Sequence, residues 1–211
     1  MANISDGNYT GLVDSCQSWL HRADVLDADV DNCIYLFEAD FNAQMRLRQM
    51  EEETTIGVTG GYLPHPSDWR EWSSIILVQG NFREPLVPLS EENAAVDYGY
   101  SYNWRPRGYV VRGDRTYIFP APGSGSYTYA TVYQQKVPGL STTNTTNWLL
   151  TEYPQVYLQG CLFWASDFIT DDQRLAKYQA MVSQTLEQLK TASNRAKFKG
   201  GIAYARPDRW Y

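Results

Sequence analysis

The chain of 211 residues has a formal net charge of −6 and an aromatic content of 14%, with 16 Tyr and 7 Trp. A disordered chain would be poorer in aromatic residues, and a protein that binds nucleic acid over its whole surface would be basic. No segment is long and apolar enough to predict a membrane span, and the start lacks the apolar core of a secretion signal. We therefore expect a folded protein with no membrane partner.

Two helices are predicted before residue 54. Apolar residues recur at helical spacing in the segment Thr10–His21, and a longer apolar stripe predicts a second helix over Val30–Glu52. Acidic residues precede the second stripe, where they suit the positive end of a helix dipole. We interpret residues 1–53 as the N-terminal helical part of a core.

Residues 54–137 are predicted to form a β-rich insert. Strands are expected at Thr54–Thr59, Ser74–Gln79, Gly108–Arg112, Arg115–Phe119 and Ser126–Lys136. The two short segments on either side of Gly113-Asp114 match the pattern of a β-hairpin with a two-residue loop. We expect this insert to make contacts away from the helical core, since its many Tyr and Trp are good interface anchors.

Residues 138–193 predict two more helices and are followed by a tail, residues 194–211. Pro154 suits the first turn of a helix with a broad apolar face, and Asp171–Ser193 has apolar residues on one side only. The expected fold is α+β: a four-helix core built from the N- and C-terminal helices, an inserted β-rich segment and an extended C-terminal tail.

The predicted core buries nine apolar residues of these four helices, which would not be stable alone. They are Leu12, Trp19, Phe37, Phe41, Leu158, Leu162, Phe168, Val182 and Leu186. The three cysteines are Cys16, Cys33 and Cys161. They are far apart, odd in number and without a C-x-x-C pair, so we expect them to be reduced and buried.

The tail differs from the rest of the chain in charge. It contains five Lys or Arg and a single acid, Asp208, which gives it +4 and leaves −10 for the preceding residues. It has too few aliphatic residues for a core of its own, yet it carries four aromatic residues. These properties predict a segment that becomes ordered when it binds another chain.

No motif of catalytic or metal chemistry stands out. His21 and His65 lie 44 positions apart with no ligand spacing around them. The segment Gly57–Gly61 lacks the Lys-Ser/Thr that completes a phosphate loop, and Asp171-Asp172 is explained by helix capping. We expect no enzyme, no catalytic residue, no cofactor and no metal.

Several short motifs occur in a consistent order along the chain. They are Trp19–Val25, Ile34–Ala39, Arg46–Glu51, Gly61–Trp69, Tyr153–Leu162, Asp171–Tyr178 and Lys199–Gly201. Each is unspecific alone, but their order and spacing resemble the head-to-tail adaptor (connector) proteins of tailed bacteriophages. The β-rich segment matches poorly beyond Ser74. Glu38-Ala39-Asp40 departs from the family, which often has Ala-Glu there.

The resemblance implies a structural virion protein at the head-to-tail interface. Family members form a homo-oligomeric ring, usually a dodecamer, that binds the portal protein, extends the DNA channel and carries tail proteins. Genomic double-stranded DNA would pass through the lumen without sequence-specific binding during ejection. Because that DNA is an anion, we expect acidic or neutral side chains to dominate the lumen. The family has no known catalytic residues.

For the tail, this resemblance suggests the portal or a neighbouring subunit as the partner. Arginine and aromatic side chains are the usual anchors of such contacts. The candidate binding residues are Phe198, Tyr204, Arg206, Arg209, Trp210 and Tyr211.

Two other interpretations remain open at this point. One is a carbohydrate- or peptide-binding virion module built on the Tyr-rich strands, since exposed aromatic rings in a patch can stack on sugars. Its candidate residues are Tyr98, Tyr100, Tyr102 and Trp104. The other is an α+β domain whose role cannot be inferred. Measurement of the assembled mass separates a ring from a monomeric binding module.

Overall fold

The computed structural model describes residues 3–22, 25–98, 105–122 and 125–198. These residues divide into two compact units. The helical unit consists of the described residues up to Arg48 and from Val137 onward, and the sheet unit is Gln49–Lys136.

The described residues form six α-helices, two short 3-10 helices and eight strands. The α-helices are α1 (Tyr9–Leu20), α2 (Asp27–Gln44), α3 (Glu91–Tyr98), α4 (Trp148–Glu152), α5 (Pro154–Phe168) and α6 (Asp172–Phe198). The 3-10 helices are Ile4–Asp6 and Arg48–Met50. The strands are β1 (Glu51–Thr59), β2 (Tyr62–Pro64), β3 (Trp69–Gln79), β4 (Phe82–Pro85), β5 (Val87–Pro88), β6 (Gly108–Arg112), β7 (Arg115–Phe119) and β8 (Ser126–Gln135).

The expected four-helix core is wrong, although the expected mixture of α-helices and β-strands is observed. A fifth helix, α4, forms in the helical unit, where the side chain of Asn147 accepts a hydrogen bond from Leu150 N at 2.8 Å and caps it. A sixth helix, α3, lies in the sheet unit. Residues 194–198, expected to belong to the extended tail, are helical instead, because α6 continues to Phe198.

The sheet unit has an apolar core of its own. It contains two four-stranded sheets, with strand orders β1-β8-β3-β4 and β2-β7-β6-β5. Buried side chains from both sheets form one cluster: Val58, Leu63, Ile75, Leu77, Leu86, Ile118 and Tyr129. Alternate residues of each strand point to one face of a sheet, so two sheets supply a core without the helices.

All five predicted strand segments are confirmed. The hairpin is confirmed as well: β6 and β7 pair antiparallel, with Arg112 opposite Arg115 and Gly113-Asp114 between them. Gly113 has a φ of +57°, a left-handed conformation that glycine adopts without the steric cost of a Cβ.

The second helix is shorter than predicted. α2 ends at Gln44, and Met45 is extended with φ −96° and ψ 140°. The guanidinium of Arg46 donates to the carbonyl oxygens of Ala43 and Met45, at 3.3 and 2.9 Å. In a longer helix these carbonyl oxygens would instead accept hydrogen bonds from backbone N–H groups one turn later. Glu51 then begins β1 instead of ending a helix.

Five of the nine predicted core residues are buried: Leu12, Phe37, Phe41, Leu158 and Leu162. Val182 and Leu186 are half-buried. Trp19 and Phe168 are 53% and 63% exposed, so placing them in the core was wrong. Leu12, Cys16 and Leu20, four residues apart, are the buried stripe of α1, whereas Trp19, next to the last residue of this helix, leaves more than half of its surface exposed.

The prediction for the cysteines is confirmed, because Cys16, Cys33 and Cys161 are buried and free. Burial raises the pKa of the Cys33 thiol to about 12, and the neighbouring Cys161 adds to this rise. Such thiols are poor nucleophiles. Within the described ranges, no helix is both long and apolar enough to cross a membrane.

Candidate functional site

The predicted binding residues of the tail fall at or beyond the end of the described chain. Phe198 is the last residue of α6. The other five, Tyr204, Arg206, Arg209, Trp210 and Tyr211, lie outside the described residues. Residues 194–198, assigned to the tail from sequence, continue the helix, and Ser193 before them accepts a hydrogen bond from Arg48 N at 2.9 Å.

Most of the residues suggested for carbohydrate or peptide binding also lie outside the described residues. Tyr98 ends α3, whereas Tyr100, Tyr102 and Trp104 lie outside the described residues. The described residues contain two other polar arrangements that the sequence did not suggest, one in each unit.

The first arrangement is a buried hydrogen-bond network around Glu38 of α2. Its carboxylate accepts from the backbone N–H of Leu140 at 2.8 Å and from the hydroxyl of Tyr157 at 2.9 Å. The amide of Asn147 donates to that hydroxyl at 2.6 Å and to the carbonyl of Pro138 at 2.8 Å. Helices α2 and α5 and the segment that leads to α4 are thereby joined.

Glu38 is only 7% exposed. Burial raises the pKa of its carboxyl above the ordinary value of 4.5, while the bonds from Leu140 and Tyr157 oppose that rise. A buried carboxylate is costly unless it is hydrogen-bonded, and both donors reach the same oxygen, Oε1. The network therefore holds the segment 138–147 in place, which gives Glu38 a structural role at the position where the chain departs from the adaptor pattern.

The second arrangement is built on the turn Gly61–Trp69 of the sheet unit. Leu63 of β2 is fully buried and fixes one side of the turn. The N–H of Trp69 donates to the carbonyl of Pro66 at 3.0 Å, which closes a four-residue turn. Asp68 holds the other side, because its carboxylate accepts from the hydroxyl of Tyr133 at 3.1 Å.

Aromatic rings from this turn and from β3 pack together. His65 stacks on Trp69 with 3.6 Å between the ring centroids, and the edge of Trp72 meets His65 at 5.7 Å. The hydroxyl of the buried Thr116 accepts from the indole N–H of Trp72 at 2.6 Å and lies 2.8 Å from Nε2 of His65. Both rings are held by the same hydroxyl group.

These rings form part of a cleft of about 720 Å³, called here the aromatic cleft. It is lined by Tyr62, Pro64, His65, Pro66, Trp69, Arg70, Gly113, Asp114, Arg115 and Lys136. The turn supplies the aromatic and proline side, and the tip of the β6–β7 hairpin supplies much of the charged side.

Positive charge predominates in the aromatic cleft. Arg70, Arg115 and Lys136 line it together with a single acid, Asp114. The guanidinium of Arg115 lies 4.6 Å from the centre of the Tyr62 ring, a cation–π contact, and its Nε lies 3.9 Å from Oδ1 of Asp114. Burial lowers the pKa of His65 below its ordinary value of 6.5, although Asp114 opposes this effect, so His65 adds little charge at neutral pH.

Sequence reasoning missed the aromatic cleft. It noted only that His65 has no metal-ligand spacing around it, and it used the segment Gly61–Trp69 only as one of the adaptor-like motifs. A signal was present in that segment, where a histidine between two prolines precedes a tryptophan and an arginine. The contributions of Arg115 and Lys136 had no such signal, because these residues lie far along the chain.

A family model described as SU10 adaptor protein matches residues 7–208, which include all of the sheet unit and most of the helical unit. No curated protein matches the sequence. The match spans nearly the whole chain and agrees with the phage-adaptor resemblance of its helical motifs. The chain therefore belongs to the SU10 adaptor protein family, a family of phage head-to-tail adaptors.

Proposed function

We propose that this phage structural protein assembles as a ring that connects the portal to the tail and extends the DNA channel. The observation that carries the proposal is the family match over residues 7–208. Adaptor membership implies a place at the head-to-tail junction of the virion and contact with portal and tail proteins. A homo-oligomeric ring, most simply a dodecamer, extends that role to a continuous channel, since closed cyclic symmetry lets one type of interface repeat around an axis.

The C-terminal segment is the proposed portal or neighbour contact. It starts at the end of α6, and it combines basic and aromatic residues in a chain of net charge −6. Arginine and large aromatic residues dominate the energetics of protein interfaces. The proposed anchors are Phe198, Tyr204, Arg206, Arg209, Trp210 and Tyr211.

For the channel, we propose a lumen dominated by acidic or neutral side chains. Duplex DNA carries one negative charge per roughly 1.7 Å of its axis, so a basic lumen would bind it and slow its passage. The net charge of −6 supports weak interaction with passing DNA. Release of duplex DNA from assembled rings at low salt is the expected result, and tight retention would contradict the proposal.

A catalytic activity is not part of the proposal. Adaptor proteins are structural, and two ionisable groups with shifted pKa values are explained by packing. Glu38 is held by the network around Tyr157, and His65 is stacked on Trp69 and placed beside Thr116. Both groups thus have a structural role that accounts for their environment.

The ring is tested by imaging and weighing the assembled complex. Full-length protein is mixed with the portal protein of the same phage, and negative-stain images and native mass spectra are recorded. We expect rings seated on the portal, with a subunit count that matches a closed ring. Monomers that never associate with the portal under any salt condition would overturn the proposal.

A truncation tests the tail. A variant that ends at Phe198 keeps all of α6 and removes only residues 199–211. We expect a far-UV circular dichroism spectrum like that of the full chain, and loss of the portal complex that is most complete at high salt, where remaining charged contacts are screened. Unchanged portal binding by this variant would exclude residues 199–211, which carry five of the six proposed anchors, as the portal contact.

A further inference from the structure

We propose that the aromatic cleft binds an extended acidic peptide segment of a partner protein. All of its lining residues belong to the sheet unit of one chain, so the cleft is complete without ring assembly. The inference therefore adds a second binding site to the one proposed for the tail. It rests on three properties of the cleft: its fixed aromatic surface, its proline-lined shape and its charge.

The aromatic surface is fixed before any ligand arrives. Trp69 is stacked on His65 at 3.6 Å and packs against Trp72 at 5.6 Å. The hydroxyl of Thr116 positions the rings of both His65 and Trp72. Rings that are already ordered lose little conformational entropy when a ligand binds, which favours affinity at a small surface.

The shape suits an extended chain. Tyr62, Pro64, Pro66 and Trp69 give the cleft flat apolar walls. Extended peptides in the polyproline conformation dock on surfaces of this kind, because their proline rings pack against aromatic faces and their backbone is already ordered. Sequences with alternating proline are therefore well suited to the cleft.

Charge decides which peptides bind. Three cations, Arg70, Arg115 and Lys136, line the cleft against one acid, Asp114, whereas the chain as a whole is at −6. Arg115 lies 4.6 Å from the centre of the Tyr62 ring and 3.9 Å from a carboxylate oxygen of Asp114, so that acid offsets one of the three positive charges and a formal excess of two remains. Carboxylates of an acidic peptide complement this local excess.

The test measures binding of defined probes to the full-length chain by fluorescence anisotropy. The probe is a blocked, fluorescein-labelled peptide of four Glu-Pro repeats, compared with peptides in which Gln or Lys replaces Glu. We expect the Glu peptide to bind about tenfold more tightly than the Gln peptide, with no binding of the Lys peptide and a clear loss of affinity as salt is raised. Equal affinity for the Glu and Gln peptides would overturn the inference.

A charge-reversal variant locates the site. Arg115→Glu combined with Lys136→Glu changes two exposed side chains of the cleft, and Arg83→Glu changes an exposed cation of the same unit that does not line it. We expect the double variant to weaken binding of the Glu peptide by about tenfold or more and the control to leave it unchanged. Equal effects of the two variants, with intact circular dichroism spectra, would contradict the assignment.

Two other occupants are outcomes of the same experiment. Tighter binding of a labelled DNA duplex than of the Glu peptide would show a nucleic-acid site and overturn the inference. Self-association that the double variant abolishes, without any change in peptide affinity, would show a second copy in the cleft and also overturn it. Portal assembly of the double variant is imaged in parallel, so failure of peptide binding is distinguished from failure of the proposed ring.

Discussion

A Cβ atom added to Gly160 of α5 would lie 2.0 Å from Cδ2 of Phe37 on α2. The ring of Phe37 thus occupies the space that a side chain at position 160 would need. The same ring meets the edge of Tyr157, one turn earlier on α5, at 5.3 Å. This close crossing places the next residue of α2, Glu38, within hydrogen-bond distance of the Tyr157 hydroxyl. The glycine therefore supports both the apolar contact and the buried polar network.

The first prediction concerns that glycine. Gly160→Ala forces the Phe37 ring or the two helices to move, and overpacking of this kind costs about 1–3 kcal/mol in the free energy of unfolding. Urea unfolding followed by far-UV circular dichroism measures it. Gly57→Ala is the control, because an added Cβ at Gly57 meets nothing within 4 Å. Equal stability of the Gly160 variant and the wild type would show that the crossing adjusts freely.

The second prediction is a pH dependence that arises from Glu38. Burial raises the pKa of this carboxyl above 4.5, so between 4.5 and the raised value the folded chain holds a proton that the unfolded chain has released. This extra proton stabilises the folded state. Its contribution to the free energy of unfolding is fully present below pH 4.5 and is lost as the pH rises through the raised pKa of Glu38 in the folded chain.

Glu38→Gln isolates this effect. The amide keeps an oxygen that accepts from Leu140 and Tyr157 but does not titrate. We expect a smaller decline in unfolding free energy across this pH interval for the variant than for the wild type. The comparison uses denaturant unfolding of both proteins at a series of pH values. Parallel curves would mean that Glu38 does not contribute to the pH dependence.

The third prediction compares two residues of α1. Leu12 is fully buried whereas Trp19 is 53% exposed. Leu12→Ala should cost about 2–5 kcal/mol, because it leaves a cavity in the core. Trp19→Ala should change stability by less than about 1 kcal/mol, as expected for a surface substitution. Thermal or urea unfolding of the two variants decides the matter, and a larger loss for Trp19→Ala would contradict the observed burial.

The fourth prediction links packing of the sheet unit to the aromatic cleft. Thr116→Val keeps the shape of a fully buried side chain but removes the hydroxyl that accepts from Trp72 and faces His65. Leaving the part-buried indole N–H of Trp72 without its acceptor costs at most about 1–3 kcal/mol in stability. We also expect weaker binding of the Glu-Pro peptide, since His65 and Trp69 lose part of their support. Thr116→Ser retains the hydroxyl and should preserve peptide affinity.

Local sequence patterns determined much of the secondary structure. The apolar repeat predicted α1 and α5 to within a few residues, and Gly113-Asp114 predicted the β6–β7 hairpin, because helical periodicity and turn geometry depend only on near neighbours. The family was also predictable, since the order of short motifs is a property of the sequence.

Tertiary structure decided the features that depend on distant residues. Glu51–Glu53 resembles the end of a helix, yet Glu53 pairs with Val132 across two strands, and that long-range pairing overrides the local preference. Trp19 matches the helical repeat, but in the folded chain Leu12 and Leu20 are buried whereas Trp19 is exposed. In the aromatic cleft, His65 and Trp69 are close in sequence, whereas Arg115 and Lys136 reach it only through the pairing of distant strands. No local periodicity of the sequence predicts that these residues come together. Their proximity results from the burial of apolar side chains of both sheets in one core.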